Sequence, residues 1–439
     1  MVRVTGIMDM LPAGKDKQFV QAVCDRNFDF VKTALETGAN VNGSPEQSLP
    51  PIAAATMLGN VGMVDFLLGQ GANPDKPVCI DGFSCIPGER TLHMAARGGK
   101  VEIVRLLLNR SRADPNATDN AGRTPLMSTC STVLIFVEVV RLLLEAGADP
   151  TLAAKDGQIP LHMVAVNGHT NLFDMLYTPA PATLNCCGAN GQTPLFWACG
   201  KGHESIVSKL LSLGAMQPLD GHAMCPLQAA IAADFVGVVR VLLNEGGIRA
   251  VGGSMPLGRA LFLAVTQRRA RILRVLLTAD GEEERSDWAN IIVGDRPLLH
   301  SCASYCYPAG LSVLLEAGAD EAARHSGRIP RDVIGMDLGR DAESQMDRGK
   351  ETAIRRMLQR GPAYRARSWA WPADEEADAG GSGDGGTAAA TAAAAAAAVL
   401  SSSPTVPKAP VIGVRIFRPK KESSSKFFVR LVGRYCAKN

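Results

Sequence analysis

This chain of 439 residues lacks several things. Its N-terminus, Met1-Val2-Arg3-Val4-Thr5-Gly6-Ile7-Met8-Asp9, has no apolar core of the kind a secretory signal needs. No apolar run is long enough to span a bilayer. The most apolar helical candidate, Val133 to Leu144, is interrupted by Glu138 and Arg141 and is far too short. The 11 cysteines form no C-x-x-C pair and no regular framework, a patternless odd set that suits a reducing compartment. A cytoplasmic or nuclear protein is the expectation. Catalytic signatures are missing too: there is no nucleophile elbow, kinase catalytic loop or paired metalloprotease histidines.

Near-matches fail on context. Gly98-Gly99-Lys100 lacks the upstream glycine spacing and the Ser/Thr of a phosphate loop. Gly381–Gly386 fits G-x-G-x-x-G but follows no strand and lies in low-complexity sequence. The spacing of His300, Cys302 and Cys306 would let them sit close on one helix, yet zinc needs about four converging ligands and no second cluster accompanies them. No enzyme, cofactor or metal centre is expected.

What is present is a repeat. Taking Leu195 as the ruler, equivalent positions are Phe19, Ile52, Leu92, Leu126, Leu161, Leu195, Leu227, Leu261, Leu299 and, weakly, Arg331. The spacings are 33, 40, 34, 35, 34, 32, 34, 38 and 32. Within one unit, Thr193-Pro194 fits a helix entry, where proline replaces an amide that would go unpaired. Leu195, Ala198 and Cys199 share a face of a short helix. Gly202-His203 breaks it, and Ile206, Val207, Leu210 and Leu211 form the stripe of a second helix. Gly214 is the stop. A unit this short cannot bury its apolar faces alone, so copies must stack on both sides.

The period, with starts such as Thr124-Pro125-Leu126, Ile159-Pro160-Leu161-His162, Thr193-Pro194-Leu195 and Leu92-His93-Met94-Ala95-Ala96, resembles the ankyrin repeat. The second halves agree: Val104-Arg105-Leu106-Leu107-Leu108, Val140 to Asp149, and Leu314-Leu315-Glu316-Ala317-Gly318-Ala319-Asp320. The resemblance covers residues 15–360 and implies an all-α solenoid of about ten helix-turn-helix units with projecting β-turn or hairpin loops. The predicted layout is a leader at 1–14, an array at 15–360 with caps at 15–47 and 327–360, a low-complexity linker at 361–400 and a basic tail at 401–439. Irregularities are expected at an insertion near 76–88, at two extra residues in the fourth inner turn and at Pro179-Ala180-Pro181. Further ones are expected at Gln267-Arg268-Arg269, which replaces a glycine turn, and at 335–349.

Charge is uneven. Residues from Ser401 on carry a net +8, so the first 400 carry −5 of the overall +3. The tail is predicted to be largely disordered, with strand-like stretches at Val411–Arg418 and Lys426–Tyr435. Anionic lipid or nucleic acid is a weakly supported contact for it.

In the family, binding uses the turn tips and the exposed residues of the first helices. Carried over by motif position, the tip candidates are Asn120, Ala121, Arg123, Lys155, Asp156, Gln158, Ala189, Asn190 and Gln192. Asn167 and Lys201 are the inner-helix candidates. The histidines His93, His162 and His300, and also His169 and His203, are read as structural ties between turns. Trp197 is read as part of the inter-repeat core. The implied function is a non-catalytic scaffold or adaptor that docks a protein partner on the concave surface of the array, with no small-molecule substrate expected. The alternative is a substrate-recognition subunit of a ubiquitin-ligase assembly whose tail recruits the machinery.

Overall fold

The computed structural model describes residues 15–43, 49–78, 86–216, 225–246, 257–278, 285–293, 296–336 and 348–360. The leader, the linker, the basic tail with its strand-like stretches, and the acidic run Glu282–Glu284 lie outside the described residues. The chain forms two units, Met1–Ser254 and Met255–Asn439.

The first unit is a succession of helix pairs: α1 (Lys15–Cys24) with α2 (Phe28–Glu36), α3 (Pro51–Met57) with α4 (Val61–Gly69), and α5 (Thr91–Arg97) with α6 (Val101–Asn109). Then come α7 (Pro125–Cys130) with α8 (Val137–Glu145), α9 (Pro160–Asn167) with α10 (Thr170–Tyr177), α11 (Pro194–Lys201) with α12 (Glu204–Ser212), and α13 (Pro226–Ala232) with α14 (Val236–Val241). Proline stands in the first turn of α3, α7, α9, α11 and α13, where the amide it lacks would be unpaired. The first helices are short and buried nearly all round; every residue of α7 is buried. The second helices bury a stripe, Ile103, Val104 and Leu107 in α6 and Ile206, Val207, Leu210 and Leu211 in α12. First helices pack on first helices (α5 on α7, α9 on α11, α11 on α13), and second on second (α6 on α8, α8 on α10). The core is therefore a continuous seam of Leu, Ile, Val and Ala, including Leu92, Leu126, Leu161 and Leu195.

Between first and second helices lie turns of two or three residues, each containing one left-handed residue. It is Gly59, Gly99, Gly168 or Gly202 in four of them, and Arg26 or Asp234 elsewhere in this unit. The fourth pair departs. Six residues, Ser131–Phe136, separate α7 from α8, and none has a positive φ. The helix expected from Val133 begins at Val137, because the two extra residues lengthen the turn rather than the helix. After α10, the Pro179-Ala180-Pro181 sequence diverts the exit into a 3-10 turn, Pro181–Asn185.

The second unit contains α15 (Leu257–Thr266), α16 (Ala270–Leu277), α17 (Arg285–Ala289), α18 (Leu298–Ser304), α19 (Pro308–Glu316) and α20 (Arg348–Arg360). Here α15 packs on α18, α16 on α19 and α19 on α20. Arg268 and Cys306 take the left-handed turn positions. A two-residue antiparallel hairpin, β1 (Ile292–Val293) with β2 (Arg296–Pro297), precedes α18. No described helix is long and apolar enough to cross a membrane.

Candidate functional site

The loop before each first helix projects as a tip, and successive tips are joined by backbone hydrogen bonds. The Asn120 amide donates to the Pro87 carbonyl at 3.1 Å, Lys155 to Ala121 at 2.9 Å, and Ala189 to Asp156 at 2.8 Å. Gly157 makes the last approach feasible: with φ of +75°, a Cβ there would lie 2.7 Å from the Ala189 nitrogen. The tips are thus a pre-ordered strip. It presents the exposed residues Asn120, Ala121, Lys155, Asp156, Ala189 and Asn190, with Gln158 and Gln192 half-buried.

Two of the candidate residues use their polar groups inside the array. The Arg123 guanidinium donates to Asp119, a buried carboxylate that also accepts the Ala121 and Arg123 amides at 2.8 Å each. The Asn167 amide donates to the Cys130 carbonyl of the preceding repeat at 3.0 Å and to Met163 at 3.1 Å. Reading by motif position missed Asp119 and a second buried carboxylate, Glu89, which is fully buried and held by Arg97 at 3.0 Å. The available signal was the carboxylate four residues before Arg123 and eight before Arg97. Lys201 is half-buried on α11. So is Trp197, whose indole N–H is shielded from solvent and has no hydrogen-bond acceptor.

Histidines lock the repeats together. The Nε2 of His93 lies 2.9 Å from the Arg123 carbonyl, and that of His162 lies 3.1 Å from the Gln192 carbonyl. In both, Nδ1 accepts the amide of the helix-capping residue, Arg90 at 3.3 Å and Ile159 at 3.1 Å. An imidazole that accepts at Nδ1 must carry its proton on Nε2, so each is neutral and donates to the next repeat. Burial lowers both pKa values, partly opposed by the carbonyl that Nε2 meets. His300 reaches Arg328 in the same way at 3.2 Å, but its capping residue is Pro297, which has no N–H, and its Nδ1 has no partner. His169 and His203 point backwards, to the Thr132 and Val166 carbonyls at 2.5 and 2.9 Å. The Asn116 side chain accepts from Asp149 and donates to Gly147, and Asn290 does the same to Asp320 and Gly318.

The buried thiols among the described residues, Cys130, Cys199 and Cys302 among them, are packing groups. Burial pushes Cys130 up to about 12 and raises Cys199 and Cys302 further, so they are not nucleophiles at neutral pH. Among the described residues no three His, Cys, Asp or Glu side chains converge as metal ligands.

A period near 33, tips joined by backbone bonds and buried histidines reaching one repeat onward together define one architecture. The family model described as ankyrin repeats (3 copies) matches over residues 79–154 and 161–251. This chain is an ankyrin-repeat protein.

Similar proteins share the repeats in varied contexts. Over 319 residues the chain is 30% identical to human ankyrin repeat and SOCS box protein 16, covering 69% of this chain and 65% of that one. Over 232 residues it is 26% identical to the ankyrin repeat protein nuc-2 of Neurospora crassa, covering 53% of this chain and 21% of that protein. Over 273 residues it is 25% identical to the E3 ubiquitin-protein ligase KEG of Arabidopsis thaliana, covering 58% and 16%. The ankyrin-repeat chain thus spans less than two thirds of the length of each. Ankyrin repeats are protein-interaction modules, and this array presents pre-ordered tips.

Proposed function

We propose that this ankyrin-repeat protein is a non-catalytic adaptor that docks a protein partner on the tips and first-helix faces of repeats four to six. The observation behind the reading is the backbone ladder through Asn120, Ala121, Lys155, Asp156 and Ala189. It fixes the tips before any partner arrives, and a fixed surface loses little conformational entropy on binding. Lys155, Asp156 and Asn190 are exposed on that strip, and Lys201 lies half-buried on α11.

A second reading is supported by two relatives whose names include a SOCS box and an E3 ubiquitin-protein ligase. In it, the array selects a substrate for a ubiquitin-ligase assembly and residues 401–439 recruit the machinery.

Affinity capture with the full chain, a chain ending at Gly361, and the triple variant Lys155→Glu, Gln158→Ala, Gln192→Ala separates these readings. A partner held by the first two and lost by the third supports docking on the tips. Ligase components recovered only with the full chain favour the second reading. A partner retained by the triple variant would move the site off the tips.

A further inference from the structure

In the second unit, one carbonyl joins α18 to the tip that follows it. The Arg328 carbonyl meets Nε2 of His300 at 3.2 Å and accepts the His325 amide at 2.9 Å. The Arg328 amide returns to the His325 carbonyl at 3.0 Å, closing a two-residue hairpin over Ser326 and Gly327. Both turn residues are left-handed, with φ of 50° and 80°, and serine adopts that conformation at a steric cost. The tip at Arg123 has a further support, the Asp119 carboxylate four residues earlier. Four residues before Arg328 stands Arg324, an exposed cation. The hairpin 325–328 therefore depends on His300 more than the Arg123 tip depends on His93.

His300 is also the tie that a proton enters most easily. In His93 and His162 the Nδ1 lone pair is taken by the amide of the capping residue, so protonation there breaks a hydrogen bond. Opposite His300 that residue is Pro297, and Nδ1 is buried without a partner. Burial keeps the ring neutral at neutral pH. A proton gained there is enclosed, and most groups around it share its sign. His325 lies edge-on, with ring centroids 6.0 Å apart, and Arg296 of β2 also disfavours the charge. Asp332, in the 3-10 turn Pro330–Val333, opposes them. Among the described residues α15 and α19, which also pack on α18, present no charged group to the ring.

We propose that His300 and His325 form an acid-sensitive latch: the neutral His300 ring holds the Arg328 carbonyl, and proton uptake by the pair releases the hairpin His325–Arg328 from α18. Release opens the His300 ring to water and separates the two imidazoles, so the open form binds protons that the closed form excludes. Acid then shifts the equilibrium toward opening. With an ordinary value near 6.5 in the open form, His300 alone can raise the open population by at most about tenfold between pH 7.5 and 5.5. The latch lies outside repeats four to six and is independent of the adaptor reading.

Hydrogen exchange on the full chain, corrected for the intrinsic pH dependence of exchange, measures opening at the His325 and Arg328 amides. Their protection should fall about three- to tenfold from pH 7.5 to 5.5. His300→Gln offers the Arg328 carbonyl a donor that does not titrate and should remove most of this dependence, while His325→Gln should weaken it. Imidazole NMR of the unaltered chain needs no variant. There His300 should titrate at higher pH than His93 and His162, together with the shifts of the hairpin amides. Protection that stays constant with pH would overturn the latch, and so would an equal loss in His300→Gln. A His300 ring still neutral at a pH where the hairpin has opened would overturn it as well.

Discussion

His93 donates from Nε2 to the carbonyl of Arg123, a residue 30 positions onward in the next repeat, at 2.9 Å. The same ring accepts the Arg90 amide at Nδ1, so one neutral imidazole caps its own helix and ties it to its neighbour. In two repeats without the histidine, a hydroxyl takes over the capping. Thr124 and Thr193 accept the amides of Met127 and Phe196, the residues standing where the histidines stand elsewhere.

A pH dependence follows. Burial lowers the pKa of His93, His162 and His300 below the ordinary value near 6.5. Below that value the unfolded chain binds more protons than the native one, so stability rises with pH. The contribution is complete above about pH 6.5 and is lost as pH falls toward the lowered native values, by at most about 1.4 kcal/mol per unit for each histidine. Urea midpoints should fall between pH 7 and 5, and His162→Gln should flatten that slope. An unchanged slope would show that His162 is not neutral in the native state.

Leu195 is fully buried in the seam between repeats. Leu195→Ala should cost about 2–5 kcal/mol, from lost transfer energy plus the cavity left behind. Denaturant unfolding measures it, and a cost under about 1 kcal/mol would mean that neighbouring repeats collapse into the space.

Arg26 holds the left-handed position of the first inner turn, with φ of 60°, and its side chain is exposed. Arg26→Gly should stabilise the chain by up to about 1 kcal/mol, since glycine takes this conformation without steric cost. A lower melting temperature would show that the arginine makes a compensating contact.

Gly202 holds the corresponding position two residues before α12, with φ of +81°, and the Phe235 ring lies against it. Gly202→Ala should destabilise by more than the roughly 1 kcal/mol of left-handed strain, because the new methyl would meet a ring carbon at 2.6 Å. Adding Phe235→Ala should recover part of that loss in a double-mutant cycle. Strictly additive effects would separate the two residues.

The sequence by itself determined the repeat. The period, the Thr-Pro and Gly-His turns and the two apolar stripes are local signals, and each is set by what a short helix requires at its ends and along its buried face. The tip candidates followed from the same register, and the structure places most of them at the surface. Only the tertiary structure decided how they are used. That Arg123 is held by Asp119 depends on how the turn folds back on itself. That Asn167 serves the preceding repeat depends on a carbonyl 37 positions away. The long turn of the fourth repeat was misread for a related reason. Val133 to Leu144 is apolar enough to pass for one continuous helix, and hydrophobicity does not say which aliphatic residues are covered. Burial is a property of neighbours, and the repeats beside this turn pin its base at Thr132 and Phe136 while leaving Val133 and Leu134 in water.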